Sequence, residues 1–281
     1  MKYKVKRIAS NYWRPGTKYF DVIIHSISPI VKDKDIVIVS EKALSVAKGL
    51  LVDETLLKPG LMAKIISHFW MRYVWGYILA KVCHLKPITI KRLRSYPVKE
   101  GSTHKQLALT YTGLLQALRH GSEGGIDVSN LPYSYACLPL KNPQLEAEEV
   151  RRRIIEATGR RVAVMIADTD MTYTWRSLHF TPRSMAVKGV ITAGGVLLYV
   201  VCRMLKMKPR ATPLAVAGAS LNLEEALELA ELAHHARMSG AGKTAWDMAE
   251  RFGVPLTCVT WEMLNKVKHY PIVIARRVSK H

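Results

Sequence analysis

Residues 142–170, NPQLEAEEVRRRIIEATGRRVAVMIADTD, spell a helix with both ends marked and, directly after it, an apolar strand. Asn142 can accept from the free amides of a first turn. Pro143 suits a position that needs no N–H, and acids lie early and bases late along the axis. Gly159 ends the helix with a residue that tolerates a left-handed backbone. The run RRVAVMIADTD then reads as a buried strand that closes on Asp168, Thr169 and Asp170. A helix delivered straight to a buried strand calls for helices packed on a sheet.

The rest of the chain fills that outline. DIVIVS, residues 35–40, is a second buried strand, and EKALSVAKGLL after it has helical composition. LMAKIISHFWMRYVWGYILAKVCHL, residues 61–85, has apolar residues at helical spacing and the length of one or two helices. QLALTYTGLLQALRH reads as strand or helix, and AVKGVITAGGVLLYVVC as strand, Gly-rich turn, then strand or helix. LNLEEALELAELAHHARM is a strong helix, GKTAWDMAERFG another that stops at Gly253, and PLTCVTW and YPIVIARRV are late strands. Neither an internal repeat nor a strict βαβ rhythm is present. The expected class is mixed α/β or α+β, with mixed sheets and packed helices, in one unit or two closely packed subdomains with no boundary marked. With 281 residues, 49% of them hydrophobic, the chain can bury a sizeable core.

Net charge is +20, from 42 Lys and Arg against 22 Asp and Glu. That favours polyanionic partners: nucleic acid, nucleotide phosphates or an acidic substrate. Of the basic runs, EEVRRRIIEATGRR reads as a solvated helix face, and KPITIKRLRSYPVKEGSTHK as a charged edge strand or hairpin. Cys83, Cys137, Cys202 and Cys258 lie far apart with no C-x-x-C pair, which favours buried free thiols over a disulfide framework or a zinc site. No segment has the roughly 20 apolar residues of a membrane span, and the N-terminus lacks the apolar core of a secretory signal, so a cytoplasmic location is expected.

Four places can carry chemistry. Asp168 and Asp170 alternate by two, so both can face one side of the strand, with Thr169 adding a hydroxyl. A turn or helix cap is the plainer reading. GSEGGIDVSN, residues 121–130, sets Asp127 beside Ser129 and Asn130 in a glycine-rich loop. Such a loop is a plain turn, or a ligand for a divalent cation or phosphate. Lys42, at the end of DIVIVSEK, stands where a phosphate can be met, or is a surface lysine. SGAGKTAWD, residues 239–247, is not a P-loop, because the required first glycine falls at Arg237 and a helix, not a strand, precedes it. A glycine-rich turn before a helix can still bind phosphate through free amides.

In order, these pieces resemble the gamma-glutamyl ligases of the deazaflavin coenzyme F-420. The resemblance rests on DIVIVSEKALSVAKG, then RHGSEGGIDVSN, then the helix and the strand ending in DTD, and covers about residues 20–200. It implies an α+β fold in an intertwined homodimer. It also implies a GTP-dependent ligase that joins glutamate to a carboxylate-bearing acceptor, such as the F-420 precursor, through an acyl phosphate. Two divalent ions, manganese or magnesium, and a monovalent cation are implied with it. By resemblance Asp127, Asp168 and Thr169 hold metal, with Asp170 beside them, while Lys42, Asn130 and Gly240 contact the nucleotide. A glutamine of the family pattern falls at Ala241, and Asp170 and Glu123 are expected to compensate for it. The alternative is a non-catalytic nucleotide- or nucleic-acid-binding protein on the same fold.

Overall fold

A computed structural model describes residues 2–238 and 244–278. Gly240 and Ala241 lie outside the described residues. The chain opens with strand β1 (Lys2–Ser10) and helix α1 (Tyr19–Ile27), then β2 (Ile36–Ser40), α2 (Glu41–Ala47) and the short β3 (Leu51–Asp53). One continuous helical run follows. It starts as α3 (Leu61–Ile65), takes a wider π-helical winding over Ile66–Leu79 and closes as α4 (Ala80–Val82). Helices α5 (Pro87–Arg94) and α6 (Val98–Tyr111) pack beside it, and α7 (Leu114–Ala117) packs on α6. The remainder is β4 (Tyr135–Cys137), α8 (Pro143–Thr158), β5 (Ala163–Trp175), β6 (Leu178–Thr181), β7 (Ile191–Thr192), α9 (Gly195–Met204), β8 (Lys208–Ala217), α10 (Leu223–Arg237), α11 (Ala245–Phe252), α12 (Trp261–Asn265) and β9 (His269–Val278).

The main sheet runs β1-β9-β2-β5-β6-β7, with β8 also paired to β5, and its strands are of mixed direction. β2 lies parallel to β5, from Ile36 opposite Ala163 to Ser40 opposite Ala167. Period-2 alternation sends successive residues to opposite faces, and here both faces are covered. Val37, Val39, Val164 and Ile166 pack with Ile23, Leu44, Val150 and Ile154 from α1, α2 and α8. Ile36, Ile38, Ala163 and Met165 pack with Ala226, Leu229, Ala230 and Ala233 from α10. A separate apolar cluster centres on the π-helical segment, with Met71, Trp75, Leu93 and Leu107 against Tyr173 and Tyr199.

The marked helix forms as its ends foretell: Asn142 accepts from the Leu145 amide at 3.2 Å and Gly159 is left-handed at φ 68°. Elsewhere the structure departs from expectation. KPITIKRLR is helix α5 and not an edge strand, because Pro87 fits its first turn and the bases Lys91, Arg92 and Arg94 complement its C-terminal end. PLTCVTW forms no strand; its chain turns at Pro255–Cys258 and enters α12, which Thr260 caps. Cys258 is exposed, unlike the buried Cys83, Cys137 and Cys202. β5 does not stop at Asp170 but runs on to Trp175, because β8 and β6 continue to pair it after β2 has ended.

Candidate functional site

The site forms where β2 stops short of β5. Its last pair is Ser40 with Ala167, so Asp168 is the first β5 residue without a β2 neighbour. The β5–β8 register also slips between Asp168 and Met171, a bulge that re-aims the side chains there. Asp168 and Asp170 are both buried, whereas Thr169 between them is exposed. Alternation thus unites the two carboxylates and sends the Thr169 side chain away, leaving its amide to donate to Asp168 Oδ1 at 2.7 Å.

Where β2 ends, α2 begins, and Glu41 and Lys42 stand in its first turn. Glu41 is buried and accepts from the Leu140 amide at 3.1 Å. It also takes both bonds of one guanidinium nitrogen: Arg183 Nη2 reaches its two oxygens at 2.7 and 2.8 Å. Arg183 Nη1 donates to Asp168 Oδ2 and lies 3.8 Å from Asp170 Oδ2. One buried arginine, placed just after β6, therefore links three carboxylates from two elements. Burial raises the Glu41 carboxyl, with Arg183 pulling against it and Asp168 adding to it. Burial also raises Asp170, with Asp168 adding to it, and Asp170 Oδ2 has no hydrogen-bond partner.

The loop at 121–130 closes over this cluster. Gly125 has φ 98°, and a Cβ there would stand 2.6 Å from Arg183 Nη2. The loop needs glycine for its backbone and for the guanidinium beneath it. Two residues on, Asp127 Oδ1 accepts from the Ser129 amide at 2.7 Å and the Ser129 hydroxyl at 2.6 Å. Asp127 Oδ2 pairs with Lys42 Nζ at 3.1 Å, and Lys42 also donates to the Ser129 carbonyl at 2.7 Å. Tyr12 donates its hydroxyl to the Asn130 carbonyl, fixing the end of the loop. Burial works against the Lys42 ammonium, but Asp127 and Tyr12 raise it, so it is held charged. Asp127 and Asp168 are each held by a cation of this chain, Lys42 on one and Arg183 on the other, and Glu41 and Lys42 are adjacent in α2.

Two more bases belong here. Arg119 Nη1 donates to Gln116 Oε1 at 3.3 Å and to the Ser122 carbonyl, and its charge is felt at Asp170. Arg237, at the end of α10, has both Nη atoms buried and without a partner among the described residues. Burial lowers its guanidinium to about 10, with Asp168 opposing. Burial likewise lowers His269 to about 4, and Lys42 and Arg237 add to that shift. Sequence reading missed Glu41, Arg119, Arg183 and Arg237. For Arg183 the only cue was an isolated arginine after a Thr-Pro step.

Glu123 is held by other bases. It pairs with Lys105 at 2.6 Å and His104 at 3.3 Å, and His104 pairs with Glu54 at 2.6 Å. Burial would raise its carboxyl, but Lys105 and His104 win and depress it strongly. Its charge is met by Lys105 and His104 of α6, and Ala241, where the family's glutamine falls, lies outside the described residues.

The residues do not fit a resident pair of divalent ions. Both Asp127 oxygens are engaged, Thr169 faces away, and the space among Glu41, Asp168 and Asp170 holds a guanidinium. Among the described residues no group of three or more His, Cys, Asp or Glu is arranged to hold a metal ion.

Comparison with known proteins gives a consistent result. Residues 7–221 match the family model described as F420-0:Gamma-glutamyl ligase. An uncharacterised protein of Methanocaldococcus jannaschii is 34% identical over 279 residues, covering 96% of this chain and 94% of that one. A coenzyme F420:L-glutamate ligase of Archaeoglobus fulgidus is 39% identical over 69 residues, 24% of this chain and 28% of its own. The protein of that name from M. jannaschii is 27% identical over 142 residues, 50% of this chain and 49% of its own.

Proposed function

The chain belongs to the F420-0:gamma-glutamyl ligase family, and from that premise we propose that it adds glutamate, or a similar amino acid, to a carboxylate-bearing acceptor such as the F-420 precursor. An acceptor carboxylate oxygen attacks the γ-phosphorus of GTP and GDP leaves. The amino-acid nitrogen then attacks the acyl carbon, phosphate leaves and the nitrogen sheds a proton. The first step is needed because a carboxylate is a poor electrophile until its oxygen becomes part of a phosphate leaving group. The nucleotide enters as its manganese or magnesium complex, so that the divalent ion comes with the substrate.

One observation supports this reading above the others. Arg237 keeps both Nη atoms buried and unpartnered among the described residues, within reach of the Asp168 charge, and its own charge is felt at His269, which also feels Lys42. A buried cation without a partner is costly, and a phosphate group would supply the missing acceptors. Lys42 and the loop carrying Asn130 complete the nucleotide contact. The test is a thermal-shift panel. Stabilisation by GTP with manganese supports the ligase. Stabilisation by RNA alone supports the nucleic-acid alternative, which the +20 charge keeps in play.

The homodimer is part of the same reading. Leu61, Ile65, Phe69, Tyr73 and Tyr77 repeat every fourth position along the α3 and π-helical run, and each is at least 47% exposed. A contiguous apolar stripe of this kind is costly in water and suits a second copy of the chain. Among the described residues no helix is long and apolar enough to cross a membrane. A monomer mass by light scattering would remove the dimer.

A further inference from the structure

We propose that Arg183 is the chain's own cation for its acidic centre, occupying the space among Glu41, Asp168 and Asp170 so that these carboxylates take no divalent metal ion while it is there. Nη2 sits between the two Glu41 oxygens at 2.7 and 2.8 Å, Nη1 donates to Asp168, and Asp170 Oδ2 stands 3.8 Å from Nη1. Oxygens held at 2.7–2.8 Å from the filling atom are spaced for N–H donors. A magnesium-sized ion draws its ligands in to about 2.1 Å and asks for near-octahedral order. A planar fork reaching carboxylates on two sides is what a guanidinium does and a lysine ammonium does not.

The arginine is also built in. Its side chain is 2% exposed, its amide donates to Thr181 Oγ1 at 3.3 Å, and Gly125 closes over the guanidinium at positive φ. No loop movement is needed to bring it in, and the loop leaves it little room to withdraw. A divalent ion added beside it would face a full positive charge inside a water-poor cluster, where such repulsion is poorly screened. Arg119 and Arg237 add to that repulsion, the first felt at Asp170 and the second at Asp168. Of the three guanidinium groups felt at this centre, Arg183 is the one bonded to its carboxylates. The reaction's divalent ion is then carried by the nucleotide. The inference concerns this carboxylate centre alone and stands whichever acceptor the protein uses.

Manganese titration of the full chain, with no nucleotide or acceptor present and bound ions counted by electron paramagnetic resonance, tests it. The parent is expected to hold no tightly bound manganese. Arg183→Ala is expected to gain one ion per chain, at least about tenfold tighter than anything the parent binds. Adding Asp168→Asn to Arg183→Ala should remove that ion. A parent that binds manganese tightly and loses it in Asp168→Asn overturns the proposal, as does a folded Arg183→Ala that gains nothing. If Arg183→Ala folds only when manganese is supplied, the proposal is supported. If it folds in neither condition, the parent count decides, none supporting and one overturning. Because GTP is absent throughout, a failure here leaves the ligase reading untouched, and a failed GTP shift leaves this one untouched.

Discussion

Lys42 Nζ and Asp127 Oδ2 meet at 3.1 Å, joining the first turn of α2 to the glycine-rich loop that covers the buried arginine. Neither residue is free. Asp127 is ordered by Ser129, and Lys42 by Asp127 and the Ser129 carbonyl. The ammonium is therefore positioned before any ligand arrives, which lowers the entropy cost of binding a phosphate.

Replacing that ammonium should separate binding from folding. Lys42→Met removes one charge-assisted contact, worth about 1.5–3 kcal/mol, so GTP affinity is expected to fall about tenfold to a hundredfold. Asp127 then loses its ion pair but keeps both Ser129 donors. The melting temperature should fall by only a few degrees, roughly the effect of 1 kcal/mol. Calorimetry with a non-hydrolysable GTP analogue, run beside a thermal melt, checks both halves. Unchanged affinity would take Lys42 out of the nucleotide site.

Arg237 should behave in the opposite way toward stability. Its Nη atoms are buried with no partner among the described residues, so folding carries an uncompensated desolvation cost. Arg237→Met is expected to leave the protein equally stable or more stable by about 1 kcal/mol, while GTP-dependent stabilisation shrinks to near zero. A variant that is clearly less stable, with its nucleotide shift intact, would mean that the guanidinium serves the fold.

The Glu54–His104–Glu123 chain gives a pH signature. Burial opposes charge on His104, but Glu54 and Glu123 outweigh it and push the ring from 6.5 up to about 10. Because the folded value lies above the unfolded one, the contribution to stability is fully present below pH 6.5 and is lost as pH rises through about 10. Parent and His104→Gln should therefore differ most at pH 6, by about 2–4 kcal/mol, and converge near pH 10. Urea unfolding at pH 6, 8 and 10 reads the gap. A gap that stays constant over that range would show that the ring is not the charged member.

Two left-handed glycines, Gly125 in the loop and Gly159 at the end of α8, differ in a way that geometry decides. Gly125 has φ 98° and would place a Cβ 2.6 Å from Arg183, whereas Gly159 has φ 68° with nothing within 4 Å. Gly125→Ala is expected to cost about 2–4 kcal/mol and Gly159→Ala about 1 kcal/mol. Comparable losses in chemical denaturation would mean that the guanidinium shifts freely and that the loop does not clamp it.

Local order was written in the sequence, and the site was only partly so. The capped helix α8, the apolar strands β2 and β5, and the acidic pair that closes VAVMIADTD all follow from caps and periodicity, which act over a few residues. The same short-range rules misread KPITIKRLR as a strand, although Pro87 and the trailing bases already suited a helix. They could not settle where β5 ends, because its last residues are held by pairing with β8 and β6. The carboxylates at Asp127, Asp168 and Asp170 were visible as residue types in a glycine-rich loop and along one strand. What each one faces was not. Lys42 on Asp127, Arg183 on Glu41 and Asp168, and Lys105 on Glu123 are contacts between distant segments. Desolvation makes such pairings strong only once the core has formed around them. A chain can thus announce an acidic centre through its own spacing, but whether a metal ion or its own arginine neutralises that centre is decided by how the sheet, the loop and α2 close on one another.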